Sequence, residues 1–402
     1  MSSQVSGPVV LVINAGSSSV KYQLVDPRTG EAHAKGLIER IGLDDAVLHH
    51  TAGGTAYERT LEVPDHATAI ELATRAFAEH GPHLAEVDLV AVGHRVVHGG
   101  DDFADPVLIT PEVVAAVERL VPLAPLHNPG NLQGIAATRE AFPDLPQVAV
   151  FDTAFHQSMP AAASTYAVPQ VWRTEHRVRR YGFHGTSHAY VSRRVADLLG
   201  RDPGDVSCIV LHLGNGASAA AIQGGRSVDT SMGLTPLEGL VMGTRPGDVD
   251  PGLAAHLGRV AGMSLDDVDR ALSKESGLLG LTGSADFRSV MERRAEGDEA
   301  AVVAFEVVVH RLLRYVGGYA AVLGRLDAIA FTAGVGENDA ELRAAVLDRL
   351  AGFGVVLDAA ANASVEGETR ITTADSAVAA FVVPTNEEWE IARQSAALVA
   401  TL

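Results

Sequence analysis

Positive charge is scarce in this 402-residue chain: 31 Lys and Arg stand against 50 Asp and Glu, a formal charge of −19. Without a positive field, nucleic acid and anionic membrane are not expected as partners, and any anionic ligand must be held by individual arginines. Cysteine is nearly absent. Cys208, the single thiol, lies in the apolar run SCIVL, so an intrachain disulfide is excluded and a buried, inert thiol in a reducing compartment is expected. No stretch reaches the length of apolar residues that a membrane-spanning helix needs, and Met1 to Pro8 has neither the basic start nor the apolar core of a signal peptide. The expectation is a cytoplasmic protein. With 47% hydrophobic and 20% charged residues, the chain should form two or three domains with substantial cores.

What is abundant is glycine, 40 residues of it, and it clusters in turns. Val9 to Ile13 reads as a buried strand, and Val20, Tyr22 and Leu24 alternate with polar residues as a second strand. Between them, Asn14 to Ser19 (NAGSSS) is a turn of small residues in which backbone N–H groups, the hydroxyls of Ser17, Ser18 and Ser19, and Lys21 could cradle a phosphate. An ordinary Gly/Ser turn fits the same residues. A Walker loop does not, because its spacing is missing and a strand follows. Val206 to Ile222 repeats the plan as strand, turn Gly214-Asn215-Gly216-Ala217-Ser218, and strand. Two such units half a chain apart predict a duplicated, two-lobed protein rather than a solenoid.

Between these landmarks, Asp65 should cap a helix ending at Gly81, and Thr110-Pro111 should open another. Leu89 to Val97 reads as a strand carrying Arg95, which could grip a carboxylate or phosphate bidentately or be a solvated surface charge. His94 and His98 are expected to be structural, or to support neighbouring site residues, rather than to ligate a metal. Gln147 to Phe151 is a strand delivering Asp152 at its carboxyl end, where α/β sheets place ligands, although a cap or turn role fits an aspartate there too. His184 lies just before the N-terminus of a helix, a position favouring anions, and with His188 it could be mistaken for a zinc pair. The long polar segment Ser227 to Asp250 carries Arg245, a second candidate anion clamp. Ser276 to Arg288 and Ala333 to Asn338 read as further glycine turns, and Ala300 to Leu323 as a central helix buried nearly all round. Thr385 or Asn386 should cap a terminal helix.

Taken in order, the segments NAGSSSVKYQL, GHRVVHGG, APLHNPGNLQGI, VFDTAFH, YGFHGTSHAYV, HLGNGAS, GRSVDTSMGLTPLEGLVMGTRPGDVDPG, FTAGVGEN and PTNEEWEIAR resemble the acetokinase family, within the superfamily of acetate and sugar kinases, heat-shock chaperones and actin. The resemblance implies an α/β protein with a duplicated ribonuclease-H-like, actin-like ATPase fold. One lobe would comprise residues 1–151 with 386–402, the nucleotide-binding lobe 152–385, with an active-site cleft between the two. It implies reversible phosphoryl transfer from ATP to acetate, with Mg²⁺ or alternatively Mn²⁺, in a homodimer. By the same resemblance Asn14 and Glu387 would hold the metal, Arg95 and Arg245 the carboxylate and the transferring phosphoryl, and His184 a phosphoryl oxygen. Asp152 would take an acid/base or orienting role. Val97, Leu126, Phe183 and Pro236 would line the acyl pocket. From the hairpin itself, Ser17, Ser19 and Lys21 would contact phosphate; from the resemblance, His212, Leu213, Gly214, Asn215 and Gly216, Asp286, Phe287 and Arg288, and Gly334, Val335, Gly336, Glu337 and Asn338 would hold ATP. One departure stands out: the segment Gly280 to Arg288 is one residue shorter than the family pattern, and Ala285 replaces a polar residue.

Acetate is already ionised at neutral pH and needs no base. Asp152 is therefore expected to orient Arg245 or a metal-bound water rather than remove a proton. Val97 and Phe183 suggest a small pocket that favours acetate over propionate or butyrate, although one methylene discriminates by only about 1–3 kcal/mol. A non-enzymatic ATP-driven clamp of the chaperone or actin type is the rival from another class.

Overall fold

A computed structural model describes residues 5–402. The chain divides into two compact units, the first running to Phe155 and including Asn386–Leu402, the second spanning His156–Thr385.

The first unit is built on eight strands: β1 (Pro8–Ala15), β2 (Ser19–Val25), β3 (Ala32–Glu39), β4 (Ala46–Ala52), β5 (Thr55–Leu61), β6 (Asp88–Val96), β7 (Val107–Leu108) and β8 (Gln147–Phe151). They lie in the order β5-β4-β3-β2-β1-β6-β8-β7. The second unit has β9 (Ser207–Leu213), β10 (Ala217–Gln223), β11 (Arg226–Thr230), β12 (Ala328–Thr332), β13 (Thr369–Arg370) and β14 (Ala379–Val382), in the order β11-β10-β9-β12-β14-β13. The duplication is explicit in the pairing. In the first unit β1 pairs antiparallel with β2 and parallel with β6, which pairs parallel with β8. β9 does the same with β10 and β12, and β12 with β14. Each sheet thus has the ribonuclease-H-like run of three antiparallel and two parallel strands.

β1 is apolar without interruption because both of its faces are covered. Val9, Leu11 and Ile13 pack with the helix His66–His80, whereas Val10 and Val12 pack with Ile391 and Ala392 of the terminal helix Glu387–Val399. That helix sits close: a Cβ on Gly93 of β6 would lie 2.6 Å from Ser395 Oγ and 2.9 Å from Ile391 Cγ2. Asp65 and Asn386 cap these two helices through their side chains, accepting from the N–H groups of Thr68 and Trp389. Cys208 is buried in β9, and burial first, with the charge of Asp327 second, pushes its thiol up to about 12.

Three expectations need correction. The helix Glu299–Leu323 buries one face only: Phe305, Val309, Leu312 and Val316 are inside, while Val302, Val303 and Val322 are exposed. Ser276 to Arg288 is not a turn but a short helix, Gly277–Thr282, closed by Gly283 at φ 78°, followed by Asp286 as cap of the helix Phe287–Ala295. Ala333 to Asn338 is likewise helical. Ala333 takes φ 64°, which turns the chain directly from β12 into that helix, and Arg343 donates to the carbonyls of Gly336 and Glu337 at its end, both at 2.9 Å. Glycine content signalled a turn; tertiary hydrogen bonds stabilise the helix instead.

Candidate active site

In the first unit three neighbouring parallel strands end together. β1 places Ile13 beside His94 of β6, and β6 places Val96 beside Phe151 of β8. Asn14, Arg95 and Asp152 are therefore brought to one edge, at the carboxyl ends where such sheets bind ligands. Arg95 grips Asp152 bidentately, Nε to Oδ1 at 2.9 Å and Nη2 to Oδ2 at 2.6 Å. Its Nη1 lies 3.5 Å from Asn14 Oδ1, and its Nε 4.0 Å from Glu387 Oε2. Asp152 is 1% exposed, whereas Arg95 and Glu387 keep 22% and 23% of their side chains open. Burial alone would weaken the proton on Arg95, but the carboxylates of Asp152 and Glu387 outweigh it and raise the guanidinium above its usual range. Glu387 is pushed up to about 7, chiefly by burial, with Asp152 and Glu388 adding repulsion against the pull of Arg95.

Two asparagines that sequence reasoning missed hold this edge in register. Asn131 donates to Ala15 O at 2.7 Å and accepts from Val97 N at 3.0 Å. Asn128 accepts from His98 N and donates to His98 O. Both lie on the helix Asn128–Ala141, whose Gly130 and Gly134 rest directly on the hairpin turn: a Cβ on Gly130 would come within 2.6 Å of Gly16 O, and one on Gly134 within 2.4 Å of Ala15 Cβ. The Gly and Asn spacing in NPGNLQG was the available signal. Around the hairpin turn Ser17 is exposed, and the half-exposed Lys21 is paired with the carboxylate of Glu388. Buried His94 binds Gln147 Oε1 at 2.7 Å, a structural contact.

In the second unit His184 caps the helix Gly185–Leu198 in the left-handed conformation, φ 56°, backbone strain of the kind found at functional positions. Its ring stacks on His212, centroids 4.2 Å apart, and its Nδ1 lies 2.9 Å from Ser218 Oγ. Arg245 donates from Nη1 to Pro236 O at 2.8 Å, and burial lowers its pKa. It remains a cation nonetheless. Gly216 is where the two meet: a Cβ there would lie 2.8 Å from Arg245 Nη2 and 3.4 Å from His184 Nε2.

The same unit holds a cleft of about 860 Å³, within the size range of small-molecule and cofactor pockets. Leu213, Gly214, Asn215, Asp286, Phe287, Arg288, Gly334, Val335 and Asn338 line it; His212, Gly216, Gly336 and Glu337 do not. Glu337 instead accepts from Thr385 N at 3.2 Å. Ala285 is part of the wall, with an apolar floor of Leu240, Met242, Leu278, Val308 and Leu312 that sequence reasoning did not find. Asp286 and Arg288 are paired with each other at 2.7 Å. Of the expected acyl-pocket residues, Val97 is buried in the first unit and Phe183 in the second, Pro236 is half-buried, and Leu126 is 56% exposed. No helix among the described residues is long and apolar enough to cross a membrane.

The profile of the acetokinase family matches residues 9–393. The chain is 58% identical over 395 residues to an acetate kinase of Streptomyces avermitilis, covering 98% of each. Among solved structures it is similar to an acetate kinase of Porphyromonas gingivalis, with a TM-score of 0.93 and 43% identity over 98% of this chain and 100% of that one. It is also similar to a propionate kinase of Francisella tularensis subsp. tularensis, with a TM-score of 0.92 and 41% identity over 97% and 100%.

Proposed function

The chain belongs to the acetokinase family, and from that premise we propose that it transfers the γ-phosphoryl group of ATP to acetate. An acetate oxygen attacks the γ-phosphorus in line, the bond to the β,γ-bridging oxygen breaks, and acetyl phosphate and ADP leave; the reverse reaction uses the same groups. The observation that carries the reading is Arg95, held at two points by buried Asp152 and still partly open.

Phosphoryl transfer asks a protein mainly to position groups and offset charge on the transferring oxygens. Arg95 and Arg245 supply that charge, and His184 a hydrogen bond to a phosphoryl oxygen. Asp152 acts on the substrate through Arg95, where the sequence pointed to Arg245 or a metal-bound water. Both its oxygens are engaged there, and ionised acetate leaves no proton to remove. ATP occupies the cleft of the second unit, its adenosine against the apolar floor.

Asn14 and Glu387 are a fitting pair for Mg²⁺ or Mn²⁺. They offer hard oxygens, and a cation of this size is commonly held by one or two protein ligands together with substrate phosphates. A divalent cation would also favour the ionised form of Glu387, which burial opposes. When bound, the metal offsets charge on the phosphate oxygens. The wider reading includes a cytoplasmic homodimer, for which the exposed Val302, Val303 and Val322 offer an apolar face.

Hydroxylamine trapping of the acyl phosphate formed from MgATP with acetate, propionate or butyrate tests the assignment. Acetate should give the highest kcat/KM. The similarity to a propionate kinase favours a second reading, propionate preference, which the same assay would expose as a reversed order.

A further inference from the structure

His188 is fully buried, yet only one of its ring nitrogens is used. Its Nε2 lies 2.7 Å from Ser218 Oγ, while its Nδ1 meets no partner among the described residues. Ser218, also fully buried, has its hydroxyl shared, with His184 Nδ1 2.9 Å away on the other side. A serine has one proton to give and an oxygen that can accept twice, but Ser218 Oγ meets only these two nitrogens among the described residues, so its own proton finds an acceptor only if the chain His188, Ser218, His184 runs in one of two directions.

In one, His188 donates from Nε2, Ser218 donates to His184 Nδ1, and the proton of His184 sits on Nε2. In the other, His184 donates from Nδ1 and the proton of His188 sits on Nδ1, a buried N–H with nothing to receive it. Orphaned buried N–H groups are rarer than under-satisfied acceptors, and an unmet buried donor destabilises the fold. Charging His184 would demand the second direction as well, or leave the buried Ser218 proton without an acceptor, since both nitrogens of His184 would then donate. Burial first, then the nearby His156 and His212, hold His188 neutral, so it cannot escape by carrying two protons.

We infer that His188 and Ser218 are positioning residues that fix His184 as the neutral tautomer with its proton on Nε2, the nitrogen beside Gly216. His184 then presents a hydrogen-bond donor alongside the guanidinium of Arg245, so both groups offer donors to one anion. In the opposite direction a lone pair would face that anion. The consequence for catalysis rests on the proposed role of His184 as a phosphoryl ligand; the proton order itself does not.

Neutron diffraction from crystals of the wild-type protein exchanged into heavy water and soaked with MgADP reads the order directly. Deuterium is expected on Nε2 of both His184 and His188, with the Ser218 deuterium pointing at His184. Deuterium on His184 Nδ1 would overturn the inference. Ser218→Ala releases the tautomer, and loss of one oriented hydrogen bond should lower kcat about tenfold or more while KM for ATP and acetate stays within about twofold. Ser218→Thr, which keeps the hydroxyl, should recover most of that loss. Unchanged kcat in Ser218→Ala would remove the positioning role. Full activity in His184→Ala would instead refute the phosphoryl-ligand reading and leave the deuterium positions standing.

Discussion

Replacing Asp152 by asparagine separates two accounts of a carboxylate in a kinase site. The side chain keeps its shape, but one oxygen becomes an NH₂ group facing a guanidinium N–H, at a position where the native contacts are 2.9 Å and 2.6 Å. One charge-assisted hydrogen bond, worth about 1.5–3 kcal/mol, is lost outright. The upper limit is the ~3–5 kcal/mol for breaking a buried pair, and it is not reached because Arg95 is partly open and has Glu387 at 4.0 Å. A loss of about 2–3 kcal/mol in the hold on Arg95 corresponds to a fall of roughly 30- to 150-fold in kcat. The assay is kcat across a pH series, with folding checked by circular dichroism. Because acetate needs no base, the residual activity should keep the wild-type pH profile. Loss of a titrating limb would show that Asp152 moves a proton; near-wild-type kcat would show that Arg95 does not depend on it.

Gly216→Ala should push Arg245 away from its position, since the added Cβ would lie 2.8 Å from Nη2 while Nη1 is tied to Pro236 O. A kcat loss of about tenfold or more, with KM for ATP within about twofold, is expected in steady-state kinetics. Buried His94 has its pKa lowered to about 4 by desolvation, against a partial counter-pull from Gln147. The unfolded chain therefore takes up a proton near pH 6.5, the ordinary value for histidine, that the folded one refuses. Stability present above that pH falls as pH drops towards 4, by at most about 3 kcal/mol. Urea melts across this range should show the fall, and it should be smaller in His94→Gln. Arg343→Ala frees the carbonyls of Gly336 and Glu337 and strips the contacts to Asn362, so calorimetry should find ATP binding weakened by about tenfold, or 1.4 kcal/mol. Unchanged affinity would mean that the helix Ala333–Asn338 does not depend on this arginine.

The duplication was legible because it is local: an apolar strand, a glycine turn and a second strand appear at Val9 and again at Val206. Arg95 and Asp152 were legible as strand-end residues, but not as a pair, because their contact depends on β6 and β8 lying side by side across 57 positions of sequence. Asn128, Asn131 and Arg343 gave no sign of their roles, since which carbonyls they meet is decided only by packing. The helices at Gly277 and Ala333 were hidden by glycine composition, and the exposed side of Glu299–Leu323 by its valines. Apolar composition does not say what covers a face.

The central claim is that ATP cleavage and acid phosphorylation are one event. Phosphorus NMR of the wild-type protein with MgATP, with and without acetate, follows every phosphorus species at once. Acetyl phosphate and ADP should appear in equal amounts with acetate, and ATP should persist without it. Release of inorganic phosphate at the same rate in both samples would contradict the account and leave an ATP-driven clamp in its place.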